Sequence, residues 1–393
     1  MNRKPDILSI VIVYLAFAAQ GLAVSILGVA WPSIRQTFGL PLDAVGLLFI
    51  AEMVGLLVAS SCSGPLVARV GVGRLLLLSL AVRGLAALGY GLAPAWWLVV
   101  LLGVAAGAAG GAVGAAANTY FATNHSPALM NWLHASYGVG AALGPAVMRL
   151  ILDAGFPWRW GYVVAALVMG LLALCLALTL DRWRLAAGPS TGPSDEPSPS
   201  PEGRARSVDT LKLPLAWAGI ALIFLFAGTE ATAGQWSYSL FTVARSIAPD
   251  TAGFWTSLYW VGSTAGRILF GFVAARWEVR RLLRVVLLGA VCGTALVWAR
   301  GIDLLNFFGL VLLGFALAPV FPLITSGTPQ RVGAAHAANA IGFQVASAGL
   351  GVSLWPALAG VLAQRVGLEV IGPFLLVTAV ALFALHELIA RRE

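Results

Sequence analysis

Long apolar runs alternate along the chain with short polar breaks, and the runs share one length class. A helix of about 20 apolar residues is long enough to cross the hydrocarbon core of a bilayer. Runs of that kind fall near residues 7–31, 42–66, 75–93, 95–122, 128–153 and 158–180, and again near 213–243, 251–275, 282–300, 305–325, 333–362 and 371–390. The first has no small-residue cleavage pattern close behind it, so it reads as a retained helix and not a signal peptide. One long polar stretch, 181–212, separates the sixth run from the seventh. Its Pro189, Pro193, Pro197, Pro199 and Pro201 lie among serines and charges, the composition of a flexible linker. The pattern predicts an all-α membrane protein of twelve transmembrane helices in three parts: a six-helix bundle (1–180), a linker (181–212) and a second six-helix bundle (213–393).

Composition agrees. Of 393 residues, 60% are hydrophobic and 10% charged, with mean hydropathy +0.90, which excludes a soluble enzyme or a DNA-binding domain. The net charge of +8 would suggest nucleic acid in a soluble protein, but here its placement matters more than its sum. With the N-terminus taken as cytoplasmic, sixteen of the twenty-four Lys and Arg fall on that side, among them Arg69, Arg74, Arg276, Arg280, Arg281 and Arg331. Both termini and the linker are therefore expected in the cytoplasm, and no nucleic-acid partner is expected. Cys62, Cys175 and Cys292 stand singly in apolar runs without pairing or metal spacing.

Two internal echoes join the halves. GPLVARVGVGRLLL from Gly64 and GFVAARWEVRRLLR from Gly271 place Gly64, Arg69 and Arg74 on Gly271, Arg276 and Arg281 at a constant offset of 207. Gly138, Gly140 and Pro145 fall on Gly349, Gly351 and Pro356 at an offset of 211. Parallel pseudo-symmetry of this kind belongs to transporters that rock two halves about a midplane site.

At these residues the chain resembles the major facilitator superfamily, whose Gly-x-x-x-Asp-Arg-x-Gly-Arg-Arg loop is similar to Gly64, Arg69, Gly71 and Arg74 and, more loosely, to Gly271, Arg276, Arg280 and Arg281. Ala68 and Ala275 stand where that family usually has an acidic residue. MNWLHASYGVGAALGP (130–145), GTEATAGQWSY (228–238) and AGRILFG (265–271) resemble the branch of fucose permeases and sodium-dependent glucose transporters. The resemblance implies secondary active uptake of a sugar driven by protons or sodium, with no ATP site and no cofactor. It also implies that the acidic residue of the 228–238 segment, here Glu230, lies in a central cavity.

Polar residues inside the spans carry the candidate chemistry, because a charge at the bilayer centre costs about 2.5–3.5 kcal/mol on insertion scales. Glu52 and Glu230 are the two acidic residues expected at midplane depth. A carboxyl in an apolar cavity can hold a proton and release it when water enters, the property proton coupling needs. Glu230 is flanked by Gly228 and Gly234, with Gln235 and Trp236 beside it. Glu52 faces a second possibility: Arg83 lies at similar depth in the next span, and the two are expected to form either a static ion pair or one that breaks during transport. Arg267 is expected to snorkel or to bind loop carbonyls, a structural or gating role, with Arg69, Arg74, Arg276 and Arg281 as the other gating-loop residues.

For the substrate itself, Gln20, Asn131, His134, Gln344, Asn339 and Trp355 join Gln235 and Trp236 as neutral polar or aromatic candidates, the groups that contact sugar hydroxyls and ring faces. Asn118 is a further candidate, with a helix-end cap or gate as its other reading. The function expected is a proton-coupled sugar symporter, monomeric, in a bacterial inner membrane. A proton-driven drug or metabolite antiporter is the alternative, suggested by Gly140, Gly144 and Pro145. A membrane enzyme is disfavoured, since neither His-Glu-x-x-His nor Gly-x-Ser-x-Gly occurs.

Overall fold

The computed structural model describes residues 7–124, 127–180, 183, 206–273, 277–299 and 301–391. Most of the linker and Arg276 lie outside these residues, and the Asn131 side chain is likewise outside the description. The described chain is almost wholly helical: α1 Ile7–Phe38, α2 Val45–Val70, α3 Val72–Leu92, α4 Trp96–Asn124, α5 Pro127–Asp153 and α6 Arg159–Leu178 form the first set. The second set is α7 Pro214–Ser239, α8 Pro249–Val273, α9 Val279–Trp298, α10 Asp303–Leu317, α11 Ala334–Val366 and α12 Ile371–Ala390. Helices satisfy every backbone group within the segment, which is what a lipid environment demands.

Among the described residues, eleven helices are long and apolar enough to cross a membrane. The remaining long helix, α8, spans 25 residues but carries Thr256, Ser257, Ser263, Thr264 and Arg267. Outward faces are apolar, as with Leu85, Leu150 and Leu178, which are 67%, 70% and 79% exposed. Lipid tails are the solvent that suits such faces.

Two boundaries differ from the sequence pattern. The first helix runs on to Phe38 past Pro32, and the tenth run breaks after Leu317 into a second piece, Val320–Ser326. The end of the predicted linker is structured as well. Ser207–Thr210 forms one helical turn, and Thr210 is fully buried, with its hydroxyl 3.0 Å from His336 Nδ1 and accepting from Asn339 Nδ2 at 3.2 Å. Asn339, expected near substrate, therefore anchors the linker's end to the start of α11.

Packing repeats between the halves. The pairs α1·α5, α2·α4, α3·α4 and α3·α6 recur as α7·α11, α8·α10, α9·α10 and α9·α12, and the halves meet through α5·α8, α2·α11 and α1·α7. The glycine echo explains how. A Cβ on Gly140 would clash with the Ala18 carbonyl on α1, and one on Gly351 with the Phe224 carbonyl on α7. Two residues earlier in each helix, Gly138 faces Thr264 on α8 and Gly349 faces Leu56 on α2. Each echo thus supplies one glycine for close approach within its half and one for contact across the halves. Gly71, at φ 82°, makes the left-handed turn between α2 and α3 that an L side chain would strain.

Candidate functional site

A cavity of about 140 Å³ lies between the two sets of helices, walled by α1, α2, α3, α5, α7, α8 and α11 among others. Both expected carboxyls line it: Glu52 from α2 and Glu230 from α7. Arg83, Gln235, Ser353 and the rings of Phe49, Tyr90, Tyr137, Tyr162 and Trp260 complete its chemistry.

Each carboxyl has an arginine on a neighbouring helix, and the two pairs are built differently. Glu52 Oε1 stands 3.6 Å from Arg83 Nη1 and accepts a hydrogen bond from the Tyr90 hydroxyl at 3.2 Å. Tyr90 in turn packs edge-on against Tyr162, with centroids 5.3 Å apart. Glu230 is gripped more closely. Arg267 Nη2 donates to its Oε1 at 2.9 Å, Ser263 Oγ donates at 3.4 Å, and the Tyr259 hydroxyl donates to its backbone carbonyl at 2.8 Å. Arg83 belongs to the cavity wall, whereas Arg267 stands behind Glu230, next to Gly138 of the other half. Removing a buried charge from water is offset only when a partner is held close, so all four side chains constrain one another.

Arg267 takes the structural role, but not through loop carbonyls: it holds Glu230. Tyr259, Ser263 and Arg267 recur every four residues on one face of α8, a stripe that contained the signal.

The other candidates are dispersed. Trp236 is fully buried and donates its indole N–H to the Pro356 carbonyl at 2.9 Å, so it joins α7 to α11 instead of facing the cavity. Gln344 is buried against Thr328 at 3.1 Å, away from the cavity wall. Trp355 packs between Phe224 and Phe374, at 5.1 and 5.6 Å. Gln20 is buried beside Gly110 on α4, His134 stacks edge-on with Phe17, and Asn118 is half-buried; none of the three lines the cavity. Arg69, Arg74 and Arg281 are exposed, with Arg281 3.2 Å from Glu278. Sequence reasoning missed Tyr90, Tyr137, Tyr162 and Trp260. Tyr90 sits two turns from Arg83, and that spacing of seven was its only mark.

At one end, where α5 and α11 finish and α2 and α8 begin, two contacts join the halves. The Leu42 amide donates to Gln364 Oε1 at 2.7 Å. Arg149 on α5 donates to Asp250 on α8 at 2.7 Å while also pairing with Asp153. Within the second half, Arg245 forms a forked pair with Glu369 at 3.0 and 3.1 Å, tying the segment after α7 to the turn before α12. Among the described residues, no cluster of His, Cys, Asp and Glu has the geometry to hold a metal ion.

Two packed sets of membrane-length helices enclose a largely apolar central cavity into which a carboxyl from each set projects. The sequence profile of the Major Facilitator Superfamily matches residues 13–244 and 236–392, and the chain belongs to that family, which makes it a transporter and not an enzyme. It is 23% identical to bypass of stop codon protein 6 of Saccharomyces cerevisiae, over 96% of this chain and 81% of that one. It is 25% identical to a gallate transporter of Pseudomonas putida, over 72% and 69%. Among solved structures, a point variant of the nucleoside transporter NupG superposes with a TM-score of 0.79 at 13% identity, covering 97% of this chain and 99% of the other. A point variant of the E. coli fucose:proton symporter FucP superposes with a TM-score of 0.66 at 16% identity, covering 97% and 98%.

Proposed function

We propose that this protein is a secondary active transporter that works by alternating access as a cation-coupled symporter, with protons as the coupling ion and a sugar or sugar derivative as substrate. Its α8 is the twelfth span, residues 1–180 and 213–393 are the two rocking bundles, and both termini face the cytoplasm of a bacterial inner membrane. One observation carries the reading: a central cavity receives a carboxyl from each half, Glu52 and Glu230, and each is matched to an arginine. A proton arriving at either carboxyl releases its arginine, so protonation and rearrangement of the helices are linked. The aromatic rings and Gln235 supply a plate and hydrogen bonds for a hydroxylated ring. The resemblance to a fucose:proton symporter supports this direction and coupling.

The antiporter alternative rests on Gly140, Gly144 and Pro145. Gly140 and Gly144 pack on the Ala18 carbonyl and on Ser25 of α1, a helix approach that serves either direction of transport.

Purified protein in liposomes tests the reading. An inward pH gradient is expected to drive accumulation of a sugar or sugar derivative, and collapse of the gradient to abolish it. Drug tolerance in expressing cells, with no gradient-driven uptake in liposomes, would replace symport with export.

A further inference from the structure

We propose, building on the transporter reading above, that the substrate carries one carboxylate on a hydroxylated ring, and that Arg83 binds it in exchange for Glu52. Arg83 is 7% exposed at the cavity wall. A buried guanidinium always needs a counter-anion. The carboxylate facing it is Glu52, at the looser distance of 3.6 Å; Glu230, across the cavity, is already held by Arg267 at 2.9 Å. The remaining titratable groups around Glu52 are the hydroxyls of Tyr90, Tyr162 and Tyr137, none of which supplies a negative charge at neutral pH.

If Glu52 takes the coupling proton, Arg83 loses its partner. A neutral solute would leave that charge buried and alone, so proton and solute would oppose each other's binding. A carboxylate removes the conflict. One proton moves from water to a Glu52 carboxylate oxygen, one carboxylate enters beside Arg83, and the net charge of the cavity is the same before and after. The proton and the anion then favour each other, as symport requires.

The rest of the wall suits the same molecule. Two lining groups lack hydrogen-bond partners, Gln235 Nε2 and Trp260 Nε1, and both are donors. Donors without acceptors call for a ligand rich in oxygen. The rings of Phe49, Tyr90, Tyr162 and Trp260 supply flat apolar faces, and a cavity of comparable size, ~150 Å³, holds one benzene ring. Sugar acids and hydroxybenzoates share this chemistry.

Calorimetric titration of the full-length protein in detergent separates them, with glucuronate and gallate as probes and glucose and the amide of gallate as uncharged counterparts. At least one carboxylate is expected to bind about tenfold or more tightly than its counterpart. Repeating the titration in buffers of different ionisation enthalpy is expected to show uptake of about one proton per carboxylate bound. Glu52→Gln is expected to bind the carboxylate with no proton uptake. Arg83→Gln on that background keeps the cavity uncharged on this side and is expected to lose the preference for carboxylate. Glucuronate alone binding assigns a sugar acid, and gallate alone an aromatic acid. The proposal is overturned if neither carboxylate binds, or if glucose matches glucuronate with no proton taken up. Gradient-driven accumulation of glucose would overturn it while leaving the transporter reading intact.

Discussion

Arg267 on α8 holds the Glu230 carboxylate of α7 at 2.9 Å, although the two are 37 residues apart and on separate helices. The pair lies against Gly138 of the opposite half, where a Cβ would stand 3.3 Å from Arg267 Nη1. A change in the charge of Glu230 is therefore felt at an interface between the halves.

Breaking this pair from one side leaves an uncompensated buried charge. Arg267→Gln is expected to lower stability by about 3–5 kcal/mol, seen as a fall in thermal unfolding temperature in detergent. The double variant Glu230→Gln, Arg267→Gln is expected to recover much of that loss. A double variant no more stable than Arg267→Gln alone would show that the pair is not what holds these side chains.

For transport, Glu230→Gln is expected to abolish gradient-driven accumulation while substrate counterflow continues. Accumulation at the wild-type level would remove Glu230 from coupling.

The glycine echo predicts matched damage in both halves. Gly140→Ala and Gly351→Ala each drive a methyl into a backbone carbonyl that cannot rotate away, at a cost of about 1–3 kcal/mol. Gly170→Ala on α6, where a Cβ meets open space, is expected to be tolerated. Unfolding curves of the three variants decide it, and equal stability would contradict the close approaches.

Arg149 on α5 bridges the halves through Asp250 on α8. Asp250→Asn is expected to weaken closure at this end and to lengthen spin-label distances between α5 and α8. Unchanged distances would mean that helix packing alone holds the end shut.

Thr210→Val removes the hydroxyl that meets His336 and Asn339. The expected cost is about 1 kcal/mol, with faster proteolysis of the linker as the more sensitive readout.

By itself the sequence determined the order of the helices and marked the eleven membrane-length spans found among the described residues, because lipid forces each apolar run to satisfy its own backbone groups within one segment. It also determined the repeat, since Gly138 and Gly140 recur as Gly349 and Gly351, the second of each pair where two backbones approach and the first where the halves meet. The Glu52–Arg83 pair was legible too, from two opposite charges at one depth in consecutive spans. Only the tertiary structure decided which polar side chains share a cavity. Gln235 and Trp236 are adjacent in sequence, yet a turn of about 100° per residue sends one to the cavity wall and the other into the core against Pro356. The rotation of α7 about its own axis is fixed by what packs on Gly228 and Gly234, namely Trp355 and Trp260. Those partners come from α11 and α8, and no periodicity within α7 could have named them.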